Sequence, residues 1–327
     1  MKKQAMCMIK NRTRIIGLIL ILILSACSTR ADDTPLAEAE LGEWQQHAQM
    51  PSPRSEMPAA VLDGRIYVPG GFGGESVFEV YQPSSDSWQP LADLPGGRHH
   101  LMAAAHDGLI YVFGGARSIV DWRATDSAWS YDPGTDTWRE MEPMPEARLS
   151  GAAVSLGEYI YVIGGTGGSN AVLRYDPAAG EWSQLAPLAE AREHTAAAAL
   201  DGRIYAIAGR WTGTGELTSV EVYDPDTDTW SPGPSLSEAR GGHAAAVIGD
   251  RIVVAGGEVL SGTRRTLDSV EVLDPQQGSW VSATALPVPL HGVPAVGLDG
   301  WVYVLGGSDR AGAIENAGRV LSWGPSP

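Results

Sequence analysis

Five arginines, Arg54, Arg98, Arg148, Arg192 and Arg240, recur at intervals of 44 to 50 residues, each ten residues after a tryptophan and sixteen before a glycine-doublet position. Five of the seven histidines, His99, His100, His194, His243 and His291, fall beside the same repeat position. Six further arginines, Arg117, Arg123, Arg210, Arg264, Arg265 and Arg310, follow the doublets, and two tryptophans, Trp122 and Trp211, stand among them. Arginine's planar fork pairs well with carboxylates, and a basic mouth on an acidic body focuses anionic ligands. Tryptophans in loops can stack on a sugar or a peptide side chain. The expected ligand contacts are therefore Arg54, Arg98, Arg148, Arg192, Arg240, His100, His194, Trp122, Arg123, Arg210 and Trp211. Each repeat arginine also has a structural alternative: bonding carbonyls, or pairing with an acid such as Glu146, Glu190 or Glu238, two residues before three of them.

Other chemistries are poorly supported. No two histidines have helical or hairpin ligand spacing, and as strand neighbours His99 and His100 are expected to point to opposite faces, so no metal site and no cofactor is predicted. Asp224, Asp226 and Asp228 imitate the start of a calcium loop but lack its sixth-position glycine, and they read as a capped turn. All three lysines lie within the first ten residues and both cysteines, Cys7 and Cys27, within the first 27. The remainder offers neither Schiff-base nor thiolate chemistry, and no disulfide. From residue 27 on, 18 arginines stand against 39 acids, which argues against a nucleic-acid partner.

The elements that must position these residues are repeats. The tryptophans Trp44, Trp88, Trp138, Trp182, Trp230 and Trp280, and the doublets beginning at Gly70, Gly114, Gly164, Ala208, Gly256 and Gly306, define six copies. Each reads as four short strands, a to d. Asp63-Gly64, Asp107-Gly108, Asp201-Gly202 and Asp299-Gly300 supply hairpin turns between strands a and b. Alanine runs such as Thr195 to Leu200 suit an innermost strand where sheets crowd together. Repeats of this kind close into a six-bladed, all-β propeller. The last copy stops after its third strand, so the strand beginning at Trp44 is expected to complete it.

Only one interval varies. From the second glycine to the Tyr position of strand c there are 10 residues in copies one and three and 14 to 16 in the others, so insertion is confined to the b–c loop. In a four-strand meander these loops share a face with the arginines, and that face is where function is expected.

Residues 1–26 combine a basic start with an apolar run, Ile15 to Leu24, too short to span a bilayer. Leu24-Ser25-Ala26-Cys27 resembles the lipobox of bacterial lipoproteins, which implies acylation at Cys27 and, with Ser28 following, an outer-membrane location if the cell has one. Residues 27–42 read as a polar tether and 43–327 as the propeller.

The doublet, the Tyr-Asp-Pro turn and the Trp followed ten residues on by Arg resemble kelch repeats from Trp44 to Pro327. Departures are local: Ala208 for the first glycine, Val253 and Leu273 for tyrosines, Leu290 for the arginine. The resemblance implies a binding platform, a scaffold or an enzyme. Galactose oxidase-like chemistry fails for want of a cysteine. Periplasmic sialic acid mutarotases are similar in blade number and export; they need a carboxylate acid-base, for which Glu56, Glu193, Glu216 and Glu258 are candidates. The expected role is a lipid-anchored, monomeric binding module for an anionic small molecule, glycan or protein partner, touching the membrane only through its anchor.

Overall fold

The computed structural model describes residues 42–166, 170–211, 213–274, 277–313 and 316–324. The expected signal, Cys27 and all but the last residue of the expected tether lie outside them. The described chain forms six four-stranded antiparallel blades in a propeller ring. Blade 1 comprises Ala60–Leu62, Arg65–Pro69, Phe78–Gln82 and Ser87–Pro90. Blade 4, with Ala196–Leu200, Arg203–Ile207, Val220–Asp224 and Thr229–Pro232, shows the same plan. Blade 6 is built from both ends of the chain: Glu43–Gln46 pairs with Val320–Gly324, with Trp44 opposite Trp323.

The four Asp-Gly turns hold positive φ at both residues, from 44° at Asp107 to 80° at Gly300, the backbone that a two-residue hairpin requires. Strand b is buried on both faces: Ile66, Val68, Ile160 and Val162 are fully inaccessible, as are Ile204 and Ile207. Each blade packs against two neighbours, so an apolar cluster occupies every interface. One joins Tyr67 and Val80 of blade 1 to Ile110 and Val112 of blade 2; another joins Val253 and Val272 of blade 5 to Val302 and Val304 of blade 6.

Hydrogen bonds made by the repeated tryptophans and glycine doublets run from blade to blade around the ring. Each strand-d tryptophan donates its indole N–H to a carbonyl of the preceding blade, from Trp44 to Thr284 at 2.9 Å around to Trp280 and Pro234 at 2.7 Å. The repeated tryptophans are thus inter-blade fasteners. The second glycine of each doublet donates its N–H to the carbonyl of the residue in the next blade's arginine slot, Gly165 to Arg192 at 2.8 Å and Gly307 to Arg54 at 2.9 Å. The close approach favours glycine at the first position, although Ala208 holds the same left-handed backbone in blade 4, with φ at +47°. At Gly164, φ is +63° and an added Cβ would sit 2.5 Å from the Arg192 carbonyl oxygen. Gly164→Ala is expected to cost about 2 kcal/mol from the left-handed backbone and the clash together, read as a shift in denaturant midpoint.

In blades 2, 4 and 5 the long b–c insertions form two-stranded ribbons: Ala116–Ser118 with Asp121–Ala124, Arg210–Trp211 with Gly215–Glu216, and Glu258–Val259 with Arg265–Thr266.

Candidate functional site

The five repeat arginines do not face a ligand. Arg54, Arg148, Arg192 and Arg240 are 0% exposed and Arg98 is 5%. Arg192 Nη1 donates to the carbonyls of Ala208 at 2.9 Å and Ser219 at 3.0 Å, and Nη2 to Glu221 at 2.8 Å. Arg240 repeats this with Gly256, Ser269 and Glu271, and Arg54 with Gly70, Val77 and Glu79. Burial pushes the Arg54 and Arg240 guanidiniums below their ordinary range, and the paired glutamates oppose that shift. The expected ring of ligand-facing arginines is corrected on this geometry: Arg54, Arg148, Arg192 and Arg240 clamp the b–c turn of their own blades, and Arg98 turns to the Gly96 and Gly97 carbonyls.

The clamp covaries with its partner in strand c. The slot of Glu79, Glu221 and Glu271 holds Trp129 in blade 2, where the Arg98 guanidinium carbon lies 5.2 Å from the indole centroid. In blade 3 it holds Leu173, and Arg148 turns to Glu146 at 3.2 Å. In blade 6, Leu290 replaces the arginine and Leu321 fills the slot, both within one apolar cluster.

The chemistry lies one and two residues further on. Ser55, His99, Leu149, Glu193, Gly241 and His291 follow the arginine slot, and each bridges to the residue after its doublet: Phe72, Ala116, Thr166, Arg210, Glu258 and Ser308. The next residues, Glu56, His100, Ser150, His194, Gly242 and Gly292, link to one another. The N–H of each donates to the carbonyl of the one before it in a closed cycle of six bonds, 2.6–2.9 Å long. All six have φ between 45° and 62°, so Glu56, His100, Ser150 and His194 hold a left-handed backbone that the cycle imposes. That conformation also breaks strand alternation at His100. His99 and His100 do not point apart as expected; their Nδ1 atoms are 2.7 Å apart.

These positions join seven side chains from five blades into a closed polar circuit. Glu56 Oε2 is 3.3 Å from His100 Nε2, which is 3.1 Å from His194 Nε2; His194 Nδ1 is 3.2 Å from Glu193. Glu193 meets Arg210 at 3.3 Å, Arg210 meets Glu258 at 2.7 Å, and His291 lies 3.4 Å from Glu258 and 3.7 Å from Glu56. Burial, with the neighbouring His194 and His99 adding to it, holds His100 well below the ordinary imidazole range. Burial would raise Glu193, but His194, the Thr166 hydroxyl and Arg210 outweigh it and bring its carboxyl down to about 2. Burial thus favours the neutral His100 imidazole while Glu193 is held as the carboxylate, with His194 between them, and both are side chains of the kinds that serve in acid-base chemistry. Glu56, His100, Ser150, His194 and His243 also line a cavity of about 150 Å³ together with small residues of the inner strands.

One wall of the site is aromatic. Phe72 stacks on His99 at 4.1 Å, and Trp122 meets Phe72 at 5.5 Å, His99 at 4.8 Å and His100 at 5.0 Å. Trp122 remains 48% exposed. Of the expected contacts, His100, His194, Arg210 and Trp122 are brought together here. Arg123 is exposed and paired with Asp121 at 2.9 Å, and Trp211 is half-buried in the blade 4 ribbon. Of the candidate acid-base residues, Glu56, Glu193 and Glu258 enter the circuit. Glu216 instead accepts the Leu260 N–H at 2.8 Å, joining two ribbons. Phe72 was not among the residues expected from the sequence, though its place directly after the first doublet is fixed by the repeat.

A six-bladed propeller of this register, with the clamp arginine or its slot and the doublet position recurring in every blade, has the pattern of a kelch protein. The model of the KLHDC2/KLHL20/DRC7 Kelch-repeats domain matches residues 37–209 and 152–317, and the chain belongs to the kelch-repeat family. No curated protein is significantly similar to it in sequence. Among solved structures, that of YjhT is similar with a TM-score of 0.75 and 17% identity, covering 84% of this chain and 96% of that one. The likeness is one of fold.

Proposed function

We propose that the protein is an exported, lipid-anchored binding module that holds a small hydroxylated ligand, such as a sugar, at the axial circuit. The observation that carries this reading is the pairing of an exposed indole, Trp122, backed by the buried Phe72 ring, with a cluster of carboxylates, imidazoles and one arginine. Sugars present that combination in mirror image: an apolar C–H face for the indole and hydroxyls for the polar groups. The emphasis moves away from an anionic ligand, because Arg210 is already held between Glu193 and Glu258, and Glu56 adds a third carboxylate. A carboxylate on the ligand would find its cations at the rim, at Arg117 and Arg123 on the same ribbon as Trp122.

A second reading is catalytic. Mutarotation of a sugar needs a group that takes the proton of the anomeric hydroxyl and another that protonates the ring oxygen as its bond to the anomeric carbon breaks. Ionised Glu193 beside His194, with Glu56 and His100 across from them, supplies candidates for both roles.

A thermal-shift screen of the full chain against neutral and acidic monosaccharides, with anomer interconversion followed by proton NMR, separates these readings. A shift without turnover supports the module, and turnover supports the mutarotase. No shift with any sugar contradicts both and leaves the scaffold. For a sugar that binds, Trp122→Ala is expected to weaken affinity at least about tenfold through lost stacking. Its unliganded melting temperature should stay near that of the parent, since the indole is half exposed.

A further inference from the structure

We infer that Glu56, His100 and His194 form a site for one divalent transition-metal ion, zinc or a metal of similar preference. The inference does not depend on the sugar reading. Glu56 Oε2, His100 Nε2 and His194 Nε2 converge with all ligand atoms within 4.8 Å of one another. The separations from His100 Nε2, 3.1 Å to His194 and 3.3 Å to Glu56, are close to two edges of a tetrahedron, and the third, from Glu56 to His194, lies within 4.8 Å. Bonds of roughly 2.0–2.2 Å to nitrogen and oxygen give edges of about 3.3–3.5 Å.

The outer shell suits a metal as well. His100 Nδ1 is hydrogen-bonded to His99 Nδ1 at 2.7 Å, and His194 Nδ1 lies 3.2 Å from the Glu193 carboxylate without meeting it in hydrogen-bond geometry. A hydrogen on His100 Nδ1 leaves its Nε2 lone pair free for a metal, as when a ligating imidazole is held by a second-shell acceptor, and a hydrogen on His194 Nδ1, beside the Glu193 carboxylate, does the same for its Nε2. Three lone-pair-bearing atoms then face one another. One proton can bridge only one of the two gaps around His100 Nε2, whereas a cation serves all three atoms. The charge of Arg210, the nearest guanidinium of the circuit, is offset by Glu193 and Glu258. Ser150, between the two histidines in the backbone cycle, has a buried hydroxyl without a partner among the described residues. The two histidines and one carboxylate leave coordination open for water or a ligand, as in catalytic rather than structural zinc sites.

The competing arrangement places the bridging hydrogen on His99 Nδ1, so that His100 donates from Nε2 and no metal is held. The test is to strip the untagged full chain with a chelator and titrate it with Co²⁺ in the visible. The expected result is a saturable ligand-field spectrum at one equivalent, displaced by Zn²⁺, together with a higher melting temperature. His100→Ala and His194→Ala should each weaken binding at least about 100-fold and Glu56→Gln about tenfold. His106→Ala, at a histidine outside the site, should leave binding unchanged. Circular dichroism of the chelated variants shows whether they fold. If they do not, the unsubstituted chain still decides: absence of a saturable spectrum at millimolar Co²⁺ overturns the site, as does binding that survives the double substitution of both histidines.

Discussion

Removing Glu43–Gln46 is expected to unfold the propeller or to lower its melting temperature by more than 10 °C, on the order of 5 kcal/mol or more for a chain of this size. The strand contributes four register pairs to blade 6, and Trp44 is packed against the last inter-blade cluster. The indole also donates to Thr284, and the Gly42 carbonyl accepts from the Thr284 hydroxyl, so both fasten blade 6 to blade 5. Without it, Val320–Gly324 becomes an open edge, and the ring loses the strand that makes its two ends one blade. Trp44→Ala alone should cost about 3 kcal/mol, the lower end for deleting a large packed aromatic, because this residue is only half-buried. Urea unfolding of both variants tests this: an unchanged midpoint for the deletion would mean that the ring closes by other means.

Arg192→Ala should be the most damaging single substitution, at about 3–5 kcal/mol, because it strands Glu221 in the blade interior and frees two carbonyls. The natural sequence supplies the control. Blade 6 runs the same position with Leu290 and Leu321, so Arg192→Leu with Glu221→Leu should recover at least half of the loss. The recovery is incomplete because Glu221 also accepts the N–H groups of Ala189 and Glu190. A double substitution no better than Arg192→Ala would show that the hydrogen bonds to Ala208 and Ser219, rather than the stranded charge, carry the energy.

These two results bear on how much was legible in the residues. The scaffold was: blade count, Asp-Gly turns, alanine-rich inner strands and terminal closure all follow from spacings that backbone geometry enforces. The site was less so, because spacing says where a residue sits in the repeat but not which way its side chain turns. The arginines sit at the right end of the blade, yet their guanidiniums turn inward. The sign of this was present in Glu79, Glu221 and Glu271, charged residues at the same place in three otherwise apolar strands, which only an internal partner explains. The histidine cluster was hidden for another reason. Ligand spacing within one strand or helix is the usual signal, whereas Glu56, His100 and His194 come from different blades and meet because a cycle of left-handed backbone turns them toward the axis.

The variable loops proved to be half of the answer. The blade 2 ribbon contributes Trp122 and the blade 4 ribbon Arg210, but the other side chains of the circuit occupy the register positions beside the clamp and the doublet. Aligning the six copies and asking which fixed positions change chemistry from blade to blade isolates them: Ser, His, Leu, Glu, Gly, His in one row and Glu, His, Ser, His, Gly, Gly in the next. The clamp and the doublet hold the scaffold constant, so these rows are free to differ.

The most direct test of the axial site as the functional centre is the imidazole nitrogen NMR of the histidines, recorded while a sugar that gives a thermal shift is titrated in. The account predicts that His100, His194 and His291 change shift together with the binding curve while His47 and His106 stay still. A ligand that binds without moving the three axial histidines would contradict it.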